Sequence, residues 1–135
     1  MNQTEQQTEL QVQKGIRRAE DDLVLWIQAA LDNTQSYGDL QEAQFRNLVR
    51  VADTTDSPEV IKNFLLYQVG RDKKWGKGKD SLADKIIQDI NVKLKPKAQE
   101  IAKDSKSSDV QGIWLELIRR YLGYGARYLK YLNSL

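Results

Sequence analysis

The chain has 135 residues, enough for one domain that buries a core without a disulfide or metal to staple it. Its 40% hydrophobic and 30% charged residues read as a globular domain rather than a disordered or membrane-embedded one, and no apolar run approaches a membrane span. The absence of cysteine and histidine excludes disulfides, thiolate nucleophiles, thiolate or imidazole metal ligands and the commonest general base. The net charge of +2 conceals an asymmetry. Residues 1–56 hold five Lys/Arg against ten Asp/Glu, net −5, and residues 57–135 hold sixteen against nine, net +7. A basic C-terminal half points to an anionic partner.

Met1 to Gln13 is polar, with five glutamines and only Leu10 and Val12 to bury. It reads as a flexible arm, 1–13, ahead of a helical domain, 14–135. It has no basic start leading into an apolar stretch, so no export signal is expected and the cytoplasm is the expected location. Ile16, Ala19, Leu23, Ile27, Ala30 and Leu31 fall on one stripe and predict a first helix over Lys14 to Asp32. Asn33 to Gly38 breaks it. Asp39, with Glu42 three residues on, then suggests a capping box for a helix from Leu40 to about Ala52. Ser57, Pro58 and Glu59 form a helix start, and Val60, Ile61, Phe64, Leu65 and Gln68 carry that helix to about Asp72.

Lys73 to Lys79 holds four lysines, Trp75 and two glycines and reads as a loop, its lysines resembling a nonspecific phosphate contact. Gly76-Lys77-Gly78-Lys79 lacks the preceding strand and the spacing of a phosphate-cradling loop. Ser81 and Asp84 open a fourth helix with the stripe Leu82, Ile86, Ile90 and Leu94, which Pro96 should end or kink. Lys97 to Asp104 continues it as a short helix. Ser108 and Gln111 suggest a cap for the longest helix, Asp109 to about Asn133, roughly 37 Å at 1.5 Å per residue. No segment alternates as a strand. The expected fold is an all-α, single-domain bundle of about five helices with a long C-terminal helix.

On a helical wheel, Val110, Trp114, Leu117, Tyr121, Tyr128 and Leu132 share the core-facing stripe of that last helix. Arg120 and Arg127, seven residues apart, lie within about 20° of each other, and Arg119 and Lys130 project together further round. Tyr124 and Tyr131 edge this strip, and Glu116 is the sole acid after Asp109. Arginine forks and tyrosine faces suit a phosphate backbone. A solvated basic face with packing tyrosines accounts for the same pattern. Gly125 falls near the core, where it would serve helix packing, and Gly123 falls on the basic side. Arg46 and Arg50 share a face of the second helix with Asp39, Glu42 and Asp53, so a salt-bridged surface and a ligand contact are equally open there. Glu20, Asp21 and Asp22 point in different directions on a helix, and no metal cage is expected.

Two stretches, Gln44-Phe45-Arg46-Asn47-Leu48-Val49-Arg50 and Phe64-Leu65-Leu66-Tyr67-Gln68-Val69-Gly70-Arg71, resemble paired segments of the small subunit of type III CRISPR effector complexes, in the Csm-type (III-A or III-D) version. The closing stretch from Leu117 to Tyr131, basic and rich in tyrosine, is similar to that family's last helix. The resemblance covers roughly Leu40 to the end; residues 1–36 and the Lys73–Lys79 loop lie outside it. It implies a non-catalytic subunit without a cofactor, stacked in several copies beside the backbone and large subunits and contacting the guide RNA paired with target RNA. Its implied RNA-facing residues are Arg46, Arg50, Arg71, Arg119, Arg120, Arg127 and Lys130, converging from separate segments. The alternatives are the small subunit of the sister type III-B complex, a helical adaptor that docks a protein through its C-terminal helix, and a carboxylate-dependent nuclease, for which only scattered acids speak.

Overall fold

Thr4 starts the first helix. In the computed structural model, which describes residues 4–135, its side chain accepts the Gln7 N–H (3.1 Å) and the Gln7 side chain accepts the Thr4 N–H (3.0 Å). This capping box opens α1, Glu5–Asp32, whose buried stripe runs Val12, Ile16, Ala19, Leu23, Ile27, Ala30 and Leu31. The first helix, expected from Lys14, is corrected to begin at Glu5, so residues 5–13 of the expected flexible arm, 1–13, are helical, though 4–11 are mostly exposed; residues 1–3 lie outside the described residues. A polar segment becomes helical here because it is capped at one end and propagates from a packed stripe at the other.

A short 3-10 turn, Thr34–Ser36, leads to α2, Glu42–Thr54, which buries Phe45, Leu48 and Ala52. Its cap is Gln41, not Asp39: the Gln44 side chain accepts the Gln41 N–H at 2.9 Å, and Asp39 accepts from the Gln41 side chain. α3, Pro58–Arg71, begins as its sequence predicts, with Ser57 accepting the Val60 N–H and proline in the first turn.

The stretch from Asp72 to Asp80 is a loop with a buried anchor. Trp75 is 1% exposed and packs against Phe45, ring centroids 5.3 Å apart. Its carbonyl accepts the Ala83 N–H, and the neighbouring Lys74 carbonyl accepts the Gly38 N–H. After Ser81 caps it, α4, Leu82–Gln88, passes through a π-helical turn, Asp89–Leu94, into α5, Lys95–Ser105. Pro96 neither ends the helix nor opens a separate one. The wide turn ahead of it redirects the Lys95 N–H to the Ile90 carbonyl, five residues back, so the helix passes the residue that has no N–H to give.

Counting α4, the π turn and α5 as one rod, the described residues form five helical rods and no strand. α6, Val110–Asn133, is the last. Its cap is Asp109, whose carboxylate accepts the Gly112 N–H at 2.9 Å, rather than Ser108. α6 is buried nearly all round: Ile113, Leu115, Ile118, Leu122, Ala126 and Leu129 join Trp114, Leu117 and Tyr121 in the core, and Val110, Tyr128 and Leu132 are only partly buried. It runs parallel to α1, as Glu20–Arg120 and Asp32–Tyr128 pairings show, and antiparallel to α2, whose Leu40 end meets Asn133. α5 returns antiparallel to α1, Ile101 lying on Gly15 and Lys97 near Asp22.

Two features hold this centre. At Gly125 a Cβ would lie 2.7 Å from both Ile27 Cγ1 and Phe45 Cζ, so three helices meet where a side chain has no room; at Gly123 a Cβ would touch nothing. Beneath them Tyr121, fully buried, donates its hydroxyl to Asp89 Oδ2 at 2.7 Å. Asp89 is 1% exposed, and its other oxygen faces the ammonium groups of Lys85 (3.3 Å) and Lys93 (3.6 Å) without an aligned hydrogen bond. Trp114 closes the layer, donating its indole N–H to the Ile90 carbonyl at 2.9 Å.

Gly125→Ala is expected to cost about 1–3 kcal/mol through overpacking, and Gly123→Ala to gain up to about 1 kcal/mol from helix propensity, both read by urea denaturation. Tyr121→Phe should cost about 1–3 kcal/mol by stripping a buried carboxylate of its donor. Burial, and then Asp89, raise the Tyr121 hydroxyl well above its ordinary value. The folded state therefore retains this proton longer than the unfolded chain does. The stability it contributes is complete below about pH 10, where an unfolded tyrosine starts to ionise, and is lost above it. Denaturation curves through that range should show the gap between wild type and Tyr121→Phe narrowing.

Candidate nucleic-acid interface

The seven cations singled out by sequence fall into three groups. On α2, Arg46 Nε pairs with Glu42 at 2.6 Å and Arg50 donates to Asn47 at 2.9 Å. Both partners come from the same helix and surface, and an exposed pair of this kind holds its arginine by about 1 kcal/mol or less, so an arriving phosphate can displace it. At the end of α3, Arg71 lies over the Tyr67 ring, 5.7 Å from its centroid. Arg71 is itself exposed.

The strip on α6 is divided. Arg119 donates from Nε to the Ala52 carbonyl (2.8 Å) and from Nη2 to the Thr55 carbonyl (2.9 Å), satisfying the last turn of α2. Arg120 is clamped between Glu116 on its own helix and Glu20 on α1. The Glu116 hydrogen bond, reinforced by the charge of both acids, raises its pKa against the effect of burial. Of the four cations on this helix expected to face RNA, Arg119 and Arg120 are tied to partners within the fold, because α6 is the central helix and its flanks meet α1 and α2. Arg127 and Lys130 are exposed and form no ion pair among the described residues. Arg127 rests over Tyr124, 6.0 Å from its centroid, and Tyr131 is more than half exposed. Tyr131 also meets Tyr128, ring centroids 5.9 Å apart, and Tyr128 donates to Asp32. The Asp32 hydrogen bond raises the Tyr128 hydroxyl above its ordinary value.

The free part of the face is thus Arg127, Lys130 and Tyr131, with Tyr124 packed partly into the core beneath Arg127 and the bare backbone of Gly123 beside them. Sequence reasoning passed over Trp75 as an anchor; a tryptophan among lysines and glycines was the signal. No group of three or more carboxylates could hold a metal ion among the described residues, and no helix is long and apolar enough to cross a membrane. Compared with family models, curated proteins and solved structures, the chain matches none.

Arg119→Met should lower stability by about 2 kcal/mol, because two carbonyls lose a charged donor. Arg127→Met should stay within about 0.5 kcal/mol of wild type. Paired thermal and urea melts check the division between structural and free arginines.

Proposed function

We propose that this protein binds RNA through its backbone without catalysis, as the small subunit of a type III CRISPR effector complex. The observation that carries the reading is the outer face of α6, where Arg127 and Lys130 are exposed without an ion pair, Arg127 resting over Tyr124 and Tyr131 exposed nearby. A duplex RNA is gripped by its shape and phosphates, which requires free cations and flat stacking surfaces rather than a shaped pocket. Gly123 adds to the fit: it carries the helix cost of glycine with no packing reason, and leaves backbone open where a sugar-phosphate chain can approach. Arg46, Arg50 and Arg71, held only by local or aromatic partners, are the supporting contacts. Arg119 and Arg120 shape the face from below.

The subunit part of the reading is supported by α3, which leaves Val60 (47%), Leu66 (58%) and Tyr67 (59%) exposed on a helix that buries only Pro58, Ile61 and Leu65. Such apolar exposure suits contact with neighbouring subunits, including further copies of this chain. The same surface favours a second reading, an adaptor for a protein partner, for which α3 offers more exposed apolar side chains than the α6 first expected.

Expressed with its genomic neighbours, the chain should co-purify with a guide-RNA complex; emergence alone or with an RNA-free partner would favour the adaptor. With the isolated protein, Arg127→Ala/Lys130→Ala should weaken binding to an RNA duplex and lower the slope of log K against log salt by about two, while circular dichroism stays helical. An unchanged slope would remove α6 from the interface.

A further inference from the structure

The densest positive charge in the chain lies off α6. Between Arg71 and Asp80 stand Lys73, Lys74, Lys77 and Lys79, and none of these lysines forms an ion pair among the described residues. Three exposed lysines and a half-buried one on a floppy loop would be ordinary. This loop is instead anchored at Lys74 and Trp75, and at its far end by the Ser81 hydroxyl donating to the Gly78 carbonyl at 2.7 Å. Trp75 is inserted into the core against Phe45 and its carbonyl is bonded to the Ala83 N–H. The Lys74 carbonyl accepts the Gly38 N–H at 3.0 Å, and the Asp72 carboxylate accepts the Lys74 N–H at 2.9 Å.

The two glycine contacts between this loop and the 33–41 segment are close enough to exclude side chains. A Cβ at Gly76, where φ is +79°, would lie 2.1 Å from the Ser36 carbonyl oxygen, and one at Gly38 would lie 2.9 Å from the Lys73 carbonyl oxygen. The two backbones are therefore pressed together, and Lys73, Lys77 and Lys79 are left exposed. Lys73, Lys77 and Lys79 line one open groove with Ser36, Tyr37 and Asp80. Asp80 is the acid in that groove; three ammonium groups outnumber it.

We propose that the Lys73–Lys79 loop is a preformed phosphate-binding platform, a second contact for the RNA backbone separate from the α6 face. It rests on the RNA-binding reading above and extends it to a segment that the family resemblance does not cover. A buried tryptophan holds the loop in place before ligand arrives, so little ordering entropy remains to be lost on binding. Lysine ammonium groups, mobile at their tips, act as point charges toward phosphate and read no sequence. An acidic protein segment is the competing partner; three exposed lysines along one open groove, opposed by the single acid Asp80, favour the regular polyanion.

The test uses the full chain and a short fluorescein-labelled RNA duplex, with affinity measured by anisotropy across a salt series. Lys73→Ala/Lys77→Ala/Lys79→Ala should lower the slope of log K against log salt by about three and weaken binding at every sequence tried. An unchanged slope in this variant, alongside a reduced one for Arg127→Ala/Lys130→Ala, overturns the platform and leaves the α6 reading standing. No duplex binding by the wild type overturns both. Polyglutamate competing as well as RNA at matched charge overturns the phosphate assignment. Hydrogen exchange tests preformation: the Gly38 and Ala83 amides should already be protected in the free protein, and protection gained only on adding RNA would overturn it.

Discussion

The structure depends on the close approach of α1 and α2 to α6 at Gly125. Ile27 and Phe45 close on a backbone with no Cβ, and that contact places the last helix at the centre of the bundle rather than on its surface. From there the rest follows in order. Phe45 also carries Trp75, so the same packing that centres α6 seats the loop between α3 and α4. Because α6 is surrounded, its arginines have neighbours, and Arg119 and Arg120 become part of the joints with α2 and α1. Core packing thus decides which cations remain free.

The polar interior is built around the π turn. A carboxylate at Asp89 costs several kcal/mol to bury unless it is met by donors or counter-charges. Tyr121 supplies the donor and Lys85 and Lys93 the charges, reaching in from the rim of their own helix. Ile90 turns one carbonyl to two donors, the Lys95 N–H and the Trp114 indole. The wide turn that accommodates Pro96 is therefore stitched to α6 by two separate hydrogen bonds, and the layer is specified by polar contacts as well as by apolar ones.

In the proposed reading, RNA meets two surfaces of different character. The α6 face offers an arginine and a lysine set among tyrosines, suited to stacking and forked hydrogen bonds. The Lys73–Lys79 loop offers ammonium charges on a fixed base. Neither resembles an enclosed site, and the charge asymmetry along the chain is consistent with both, since each lies in the basic half.

Periodicity determined the helices by itself. The stripes Ile16 to Leu31 and Leu82 to Leu94 were legible because apolar residues recurring at 3.6 must share a face, and Ser57-Pro58 announced α3 through capping chemistry alone. Helix ends were less legible where glutamine rather than aspartate or threonine did the capping, as at Gln41, and where polar residues extended a helix that packing stabilised downstream, as from Glu5 to Gln11. The candidate arginines could be named from the wheel, but their state could not. A wheel shows which residues share a face and nothing of what lies opposite. That Arg119 meets the carbonyls of Ala52 and Thr55, that Glu20 reaches Arg120 across a hundred residues, and that Trp75 turns a lysine-rich loop inward are all long-range contacts. Only the tertiary structure decides them, because the partners are brought together by the packing of helices that are distant in the chain.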